Sequence, residues 1–361
     1  MTQVQQLVIP TFETGANITR EEPPEQLQQA LLITAFHEPL AVQSIPIPVL
    51  GDHDVLVQNK VVGLNPIDWK GKKYRFGVYN FPWINGRESS GVVVKCGSKV
   101  THLAPNDDVI VSSTSYRDNR TSTFQQYTAI DSRLVWRLPE FLSYEHGATL
   151  GVGLVTAGVI MYQSFGFELS TTPQPVNGTI LIWGGATVVG IYTIQLAKIA
   201  GLRVIAVASL QHQQYLQDLG ADVVIDRHLS ATEIANLVQE RVDYGVDCVS
   251  KETSSVVLDI LSQRANASGA STTPPLFAGI VGLPKEFPTN VEFREVVIKS
   301  FHEDVEYGKR FVDVTTEYIH NRAIQPVRHK SYSGGLHSIG DGLQDLEDIG
   351  ARAEKYVVSI H

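Results

Sequence analysis

One stretch of the chain, Thr179–Gly190, has the residue types of a nucleotide-binding turn. An apolar run, Ile180–Trp183, precedes two glycines, and the residues after them have helical apolar spacing over Ile191–Ala200. This pattern predicts a buried strand, a tight turn and the start of a helix. Such a turn directs backbone N–H groups and the positive end of the helix dipole towards one point, which suits a pyrophosphate. We therefore expect a bound dinucleotide, with hydride transfer as the chemistry.

The turn matches only part of the G-x-G-x-x-G fingerprint of dinucleotide-binding folds, because its three positions are Gly185, Thr187 and Gly190. An ordinary strand–turn–helix unit is the alternative interpretation. The next residues favour the nucleotide. A second apolar strand over Arg203–Ala208 ends at Ser209, which lies about 20 residues past the turn, where a residue that contacts the ribose is expected.

Further alternation of elements completes the pattern of a doubly wound sheet. Tyr215–Leu219 has the character of a helix that ends at Gly220, and Asp222–Asp226 has that of a third strand. Strands and helices that alternate in this way predict a parallel sheet covered by helices. The predicted fold class is therefore α/β.

The composition is that of a globular enzyme. The 361 residues are enough for two domains with sizeable cores, and 43% of them are hydrophobic and 19% charged. We find neither an apolar run near the ~20 residues that span a bilayer nor a basic-then-apolar leader, so we expect a cytoplasmic protein without a membrane partner. The net charge of -9 argues against nucleic acid as a partner. Two cysteines, Cys96 and Cys248, cannot form a disulfide framework or a four-cysteine zinc site.

The first part of the chain is rich in short strands, which favours a small β-barrel. Residues 1–28 are polar and predict a loosely held extension. Tyr144–Tyr162 predicts a buried helix pair between two domains, and Tyr356–Ile360 predicts a last strand that rejoins the first domain. The short strands are expected over Gln29–Phe36, His53–Leu64, Gly91–Val94, Asp108–Val111 and Ser122–Ile130.

Several blocks, in their order and spacing, resemble the medium-chain dehydrogenase/reductase superfamily. They are more closely similar to the zinc-free fungal enoyl reductases that act in trans with polyketide synthases, and to quinone-reductase-like relatives. The resemblance covers roughly residues 29–361. The blocks are Val62–Lys70, Gly86–Gly91 with Gly97–Val100, Ala148–Leu150 with Leu154–Ala157, Gly184–Gly190, Leu219–Asp222, Val281–Gly282 and Gly334–Leu336.

This resemblance implies a domain organisation and a site. A GroES-like β-barrel substrate domain would be formed by residues 29–150 and 301–361, a doubly wound Rossmann cofactor domain by residues 151–300, and the active site would lie in the cleft. Zinc-dependent relatives carry a ligand cysteine near Asn65–Asp68 and Gly-His-Glu where this chain has Gly86-Arg87-Glu88. The resemblance therefore implies no catalytic metal, and hydrogen-bond donors would polarise a carbonyl.

The second strand indicates which nicotinamide cofactor to expect. It ends without the Asp or Glu that would repel a 2′-phosphate, so NADPH is permitted, and Ser209 can donate a hydrogen bond to that phosphate. Relatives usually carry a Lys near Gln213–Gln217, which this chain lacks. Arg227 could restore the missing charge, with a weaker contribution from His212, unless both are ordinary surface residues. The other cofactor-binding residues that the resemblance implies are Gly184, Gly185, Ala186, Thr187, Val188, Val189, Val281 and Gly282.

The resemblance also suggests catalytic residues. Lys70 would lie beside the nicotinamide and polarise the carbonyl or supply a proton, unless it is one member of a solvated basic run, Lys70–Arg75. Asn65 would reach the nicotinamide ribose or only stabilise its loop. Asp68 would take part in the chemistry, or it would instead be a structural residue that caps the Asn65-Pro66 turn. Thr156 would lie near the nicotinamide, or its hydroxyl would bond back to its own helical turn.

We thus expect an NADPH-dependent ene-reductase that acts on an α,β-unsaturated carbonyl, with a polyketide enoyl thioester as substrate. Its partners would be a small molecule or carrier-bound acyl chain and a polyketide synthase, and the Lys70–Arg75 run would attract an acidic carrier. An aromatic segment, Tyr74–Trp83, would roof the cleft or cover the end of the barrel. A quinone or alkenal reductase and a redox-inert ligand-binding protein are the alternatives. Pro284 and Pro288 near the sheet edge favour a monomer.

Overall fold

The protein is described by a computed structural model that covers residues 26–115, 117–265 and 273–360. Most of the predicted polar extension, residues 1–25, lies outside the described residues. The prediction of an extension was wrong for its last residues, because the first strand already begins at Leu27. The remaining chain forms three sheets, and two of them position the candidate site.

A seven-stranded sheet is built from both ends of the chain. Its central strand β3 pairs antiparallel with β5 along most of its length, with β7 near its start and with β16 near its end. A separate three-stranded sheet has the order β2-β1-β4. The strands are β1 (Leu27–Ile33), β2 (Ala41–Pro46), β3 (Asp54–Gly63), β4 (Trp83–Ile84), β5 (Glu88–Cys96), β6 (Asp108–Ser112), β7 (Tyr127–Asp131), β8 (Val135–Arg137), β15 (His329–Tyr332) and β16 (Lys355–Ser359).

The middle of the chain forms a six-stranded parallel sheet in the order β11-β10-β9-β12-β13-β14. Chain order reverses between β9 and β12, and this is the switch point at which doubly wound sheets bind their ligands. The apolar run at β9 is buried on both faces, as expected for a central parallel strand. The strands are β9 (Thr179–Trp183), β10 (Arg203–Ala208), β11 (Val223–Asp226), β12 (Tyr244–Asp247), β13 (Leu276–Gly279) and β14 (Glu292–Phe293).

Helices cover these sheets and connect them. Those of the described residues are α1 (Pro66–Tyr74), α2 (Tyr144–Gly147), α3 (Val152–Gly158), α4 (Val188–Ile199), α5 (Gln213–Asp218), α6 (Ala231–Leu237), α7 (Lys251–Arg264), α8 (Ser300–Glu303), α9 (Val305–His320) and α10 (Ile339–Asp348). Leu154 and Val155 of α3 pack in the same core cluster as Ile180 of β9 and Ile191 of α4. The small residues of α3 allow this approach, since a Cβ on Gly153 would lie 2.5 Å from Val188 Cγ1.

The predicted helix pair at Tyr144–Tyr162 corresponds to α2, α3 and a π-helical continuation, Val159–Ser164. This stretch, Tyr144–Ser164, is long and apolar enough to cross a membrane, whereas the sequence pattern led us to expect no apolar run of that length. However, 83% of its most apolar window is buried inside the protein, so it is a core helix that joins the two large sheets.

Most predicted strands occur within a few residues of their expected bounds, and β10 has the bounds that were predicted. The prediction of a strand over Ser122–Ile130 was wrong in its first half. Residues Ser122–Gln125 follow a short 3-10 turn, and the amide of Gln125 turns back to bond the carbonyl oxygens of Asn119 and Ser122. The predicted last strand does rejoin the first sheet as β16. The division into domains at residues 28, 150 and 300 stays a prediction.

Candidate cofactor and catalytic site

The turn after β9 has the conformation that a phosphate cradle requires. Gly184 has a φ of 83°, which favours glycine, and a Cβ there would also lie 2.7 Å from Val249 Cγ2. The hydroxyl of Thr187 donates to Gly184 O at 2.8 Å and accepts from Gly190 N at 3.0 Å. Thr187 is therefore the N-cap of α4, and it organises the turn at the position where the fingerprint has its middle glycine.

The start of α4 supplies the donors of this cradle. Val188 and Val189 lie in the first turn of the helix, where N–H groups have no intrahelical acceptor. Gly190 allows the turn to lie against the helix, because a Cβ there would lie 2.2 Å from Gly184 O. The N–H groups of a twelve-residue helix and its dipole thus face the end of β9.

Apolar side chains lie beyond this turn at the carboxyl ends of β12 and β13. Val249, Val281 and Leu283 are exposed by 41%, 48% and 37%. Gly282 lies against α7, with its carbonyl oxygen accepting from Ser254 Oγ at 2.8 Å. Exposed apolar groups at a sheet's switch point suit the faces of a nicotinamide ring and an acyl chain.

Basic groups surround Ser209 at the other end of the cradle. Burial lowers the pKa of His212, and the nearby positive charges of Arg328 and Arg227 lower it further. The Arg328 guanidinium lies 3.9 Å from the ring centroid of Tyr215, and both arginines are exposed. The structure therefore brings three of the predicted residues, Ser209, His212 and Arg227, to one place. It adds Arg328, which the sequence pattern did not identify.

A buried ionic network joins the first residues of β5 and β16 to the loop before α1. Lys355 forms an ion pair with Glu88, and the two side chains are 2% and 0% exposed. The amide of Asn65 joins them, because its Nδ2 donates to Glu88 Oε1 and its Oδ1 accepts from Lys355 Nζ, both at 2.7 Å. Glu88 Oε2 also accepts the backbone N–H groups of Gly151 and Val152 at 3.1 and 2.8 Å. Glu88 thus connects α3 to the loop before α1.

Asp68 stabilises that same loop. Its carboxylate accepts the backbone N–H groups of Asn65 at 2.8 Å and Gly86 at 3.2 Å, so it caps the start of α1. Burial raises the pKa of Asp68 to about 6, and the positive charge of Arg87 opposes that rise. Of the two roles considered for Asp68, the geometry favours the structural one. The Asn65 amide is likewise engaged within its own network.

Lys70 lies on α1 and Thr156 on α3, the two helices whose starts are bonded to Glu88. Lys70 is half-buried on α1, with its Nζ 5.5 Å from the ring centroid of Trp69. It forms no ion pair within the part of the chain that the structure describes, which leaves its ammonium available. The hydroxyl of Thr156 donates to Val152 O at 2.7 Å, as the local alternative predicted, and its lone pairs can still accept. The roles of both residues in catalysis stay predictions.

Comparison with known proteins identifies the fold. Residues 51–140 match the alcohol dehydrogenase GroES-like domain, and residues 188–275 match the zinc-binding dehydrogenase domain. Trans-enoyl reductase tndF of Aspergillus flavipes is 30% identical over 354 residues, which cover 92% of this chain and 99% of that protein. The chain belongs to the medium-chain dehydrogenase/reductase family.

Two solved structures have the same fold. An alcohol dehydrogenase superfamily protein from Novosphingobium aromaticivorans superposes with a TM-score of 0.77, at 21% identity, over 92% of this chain and 100% of the other. Mycobacterial Rv1454c, solved in complex with NADPH, has a TM-score of 0.73, at 21% identity, over 92% and 99% of the two chains. Both likenesses show the same fold, a GroES-like domain and a Rossmann domain. The family to which the chain belongs makes it a dehydrogenase/reductase, and such enzymes use a nicotinamide cofactor.

The name of one matching family domain implies zinc, but the residues of this chain do not fit that metal. The stretch where the ligand cysteine would lie, Asn65–Asp68, holds no cysteine, and its Asn65 amide is already bonded to Glu88 and Lys355. The histidine of the Gly-His-Glu motif is replaced by Arg87, a buried cation. In the described ranges no three His, Cys, Asp or Glu side chains are grouped so as to hold a metal ion. Arg87 at one of these positions and Lys355, which is bonded to Asn65 at the other, are positive and would repel a divalent cation.

Proposed function

We propose that this oxidoreductase is an NADPH-dependent ene-reductase that acts in the cytoplasm on an α,β-unsaturated thioester of the polyketide type. The observation that carries the proposal is its similarity to a trans-enoyl reductase along 99% of that protein's length. Reduction of a C=C bond conjugated to a carbonyl needs charge stabilisation at one oxygen, and a hydrogen-bond donor of this chain, Lys70, would supply it.

Different residues of the chain would bind the cofactor, stabilise the developing negative charge and exclude water. The turn from Gly184 to Val189 would bind the pyrophosphate, and the cofactor, when bound, supplies the hydride for the β-carbon. Lys70 would donate a hydrogen bond from its ammonium to the carbonyl oxygen, where negative charge develops, and the resulting enolate would take a proton at its α-carbon from Lys70 or from water. The network of Asn65, Glu88 and Lys355 fixes the start of α1 and so positions Lys70. The apolar side chains of Val249 and Val281 would exclude water.

Substitution of Lys70 by Met tests the proposed catalytic role. We expect a fall in kcat of about 100-fold with crotonyl pantetheine thioester as substrate, because loss of one preorganised donor to an oxyanion costs about that much. NADPH consumption measured by absorbance gives the rate, and fluorescence titration gives the NADPH affinity, which should change less than threefold.

Lys72→Met is the matched control, since Lys72 is on the same helix but on a different face. An unchanged kcat in K70M would show that Lys70 does not stabilise the transition state. Wild-type reduction of quinones, with no reduction of any enone or enoyl thioester, would contradict the ene-reductase proposal itself.

The basic groups near Ser209 lead to a second expected result. In the double variant R227S/R328S, the KM for NADPH should rise by about 10- to 100-fold, because two charge-assisted contacts to the 2′-phosphate would be lost. The KM for NADH, which lacks this phosphate, should change little. R322S, which removes an exposed arginine elsewhere, is the control. Equal losses with both cofactors would show that the two arginines do not select NADPH.

A further inference from the structure

Exposed aromatic side chains are concentrated in one segment of the substrate domain. Tyr74, Phe76, Tyr79 and Phe81 are exposed by 60%, 44%, 56% and 45%. Among the described residues, Phe141 is the one other large aromatic with comparable exposure. The last aromatic of the segment, Trp83, is buried and contacts Tyr79, so the two roles considered for the segment stay predictions. Exposed apolar groups concentrated in this way mark an interaction surface.

Cations alternate with these rings. The guanidinium of Arg75 lies 5.9 Å from the ring centroid of Phe36, and that of Arg117 lies 5.1 Å from the ring centroid of Tyr79. Lys72, Arg75 and Arg117 form no ion pair within the described residues. These three cations are therefore free to meet an acidic partner, whereas Lys73 beside them is already paired with Glu347 of α10. Aromatic side chains and arginine are the residue types enriched in protein–protein interfaces.

A groove of about 450 Å³ between α1 and α10 continues this surface. Trp69, Lys72 and Lys73 of α1 line it together with Leu343 of α10. Lys70 is not among the lining residues of the groove, but its ammonium lies 5.5 Å from the ring centroid of Trp69, which does line it. The groove therefore ends next to the proposed catalytic lysine.

The four exposed rings, together with Lys72, Arg75 and Arg117, form what we call the basic–aromatic surface. We propose that this surface is the docking site of an acidic carrier domain that presents its acyl chain on a phosphopantetheine arm. This inference rests on the proposed reduction of an enoyl thioester. The surface is complementary in charge to an acidic helical domain and to the phosphate of the arm. Helix α1, which has nine residues, is about 14 Å long at 1.5 Å per residue, and it starts at the buried network of the active site. Docking near its end therefore leaves the cleft within reach of a flexible arm.

Paired substrates separate docking from chemistry. The full chain and the variant K72E/R75E are assayed with a crotonyl group on pantetheine and with the same group on an acidic holo-acyl carrier protein. We expect kcat/KM for the carrier-bound substrate to fall at least tenfold, while that for the pantetheine thioester stays within twofold. The aromatic variant F76A/Y79A should behave in the same way. Added NaCl should lower the wild-type rate with the carrier only, since salt screens charge pairs at a surface.

Two control variants carry the same types of substitution, one charge reversal and one aromatic truncation, outside the proposed docking surface. K95E reverses an exposed lysine on β5, and F141A removes the exposed aromatic ring that lies outside the segment. Both should retain wild-type rates with both substrates, and thermal unfolding should show that every variant folds. Equal losses with both substrates, or no loss with either, would overturn the docking proposal. Binding of wild type but not K72E/R75E to phosphatidylglycerol vesicles, with carrier turnover unchanged, would assign the surface to a lipid and overturn it as well.

A binding measurement distinguishes failure of the docking proposal from failure of the proposed reductase function. If the wild-type chain reduces neither substrate, the enoyl reductase proposal fails, and the surface is then judged by binding alone. Fluorescence anisotropy of the labelled holo-carrier protein should show binding to the wild type that is at least tenfold weaker for K72E/R75E. Absence of binding to the wild type would overturn the docking site.

Discussion

Replacement of Lys355 by Met is expected to lower the free energy of unfolding by about 3–5 kcal/mol, because removal of one partner leaves a buried charge uncompensated. The side chain of Lys355 is 2% exposed, and that of Glu88 is fully buried. Without the ammonium, the Glu88 carboxylate keeps its N–H donors from Asn65, Gly151 and Val152 but loses the ion pair with Lys355. Urea unfolding followed by tryptophan fluorescence measures the loss.

The double variant E88Q/K355M distinguishes charge from packing. It removes both charges, so we expect it to be more stable than K355M, with a coupling energy of about 1–3 kcal/mol in the complete cycle. K198M is the matched control, because Lys198 pairs with Asp222 at 2.9 Å on the surface and should contribute at most about 1 kcal/mol. If K355M and K198M lower the free energy of unfolding by the same amount, the buried Lys355–Glu88 pair contributes no more to stability than a surface ion pair does.

The Lys355–Glu88 pair could not be predicted from the sequence pattern, because it joins distant parts of the chain. Lys355 lies 290 positions from Asn65, with which it shares a hydrogen bond. Periodicity and turn residues describe neighbours along the chain, so they predict β10 and the turn after β9 but not a contact between the two ends of the chain. A signal was present, because Glu88 begins a strand that continues as an apolar run and Lys355 begins the last apolar strand. A charge at a buried strand position requires a partner.

Arg328 was missed for a similar reason. It contacts Tyr215 from a loop that lies 113 positions further along the chain, so no local motif includes it. By contrast, Ser209, His212 and Arg227 could be predicted, because each follows or flanks a strand of the βαβαβ unit, and the carboxyl ends of parallel strands meet at one edge of the sheet. The sequence thus predicts the part of the candidate site that a single supersecondary unit builds.

Substitution of Gly190 by Ala is expected to weaken NADPH binding by at least about 100-fold, because a small misplacement of binding groups costs that much. A Cβ at this position would lie 2.2 Å from Gly184 O and 2.9 Å from Gly185 Cα. These are backbone atoms, which cannot rotate away as a flexible side chain does, so the turn itself must move. The movement separates Gly190 N from Thr187 Oγ1 and displaces the N–H groups of α4 from the pyrophosphate. Overpacking should also lower the free energy of unfolding by about 1–3 kcal/mol.

Gly340→Ala provides the comparison that makes this result specific. Gly340 lies in α10, a Cβ there meets nothing within 4 Å, and its backbone does not have a positive φ. We expect G340A to bind NADPH as the wild type does and to be slightly more stable, since Ala is the better helix former. Fluorescence titration with NADPH and NADH measures both variants below their unfolding temperatures. Wild-type affinity for both cofactors in a folded G190A would mean that the dinucleotide does not bind at this turn, and the oxidoreductase site would then have to lie elsewhere.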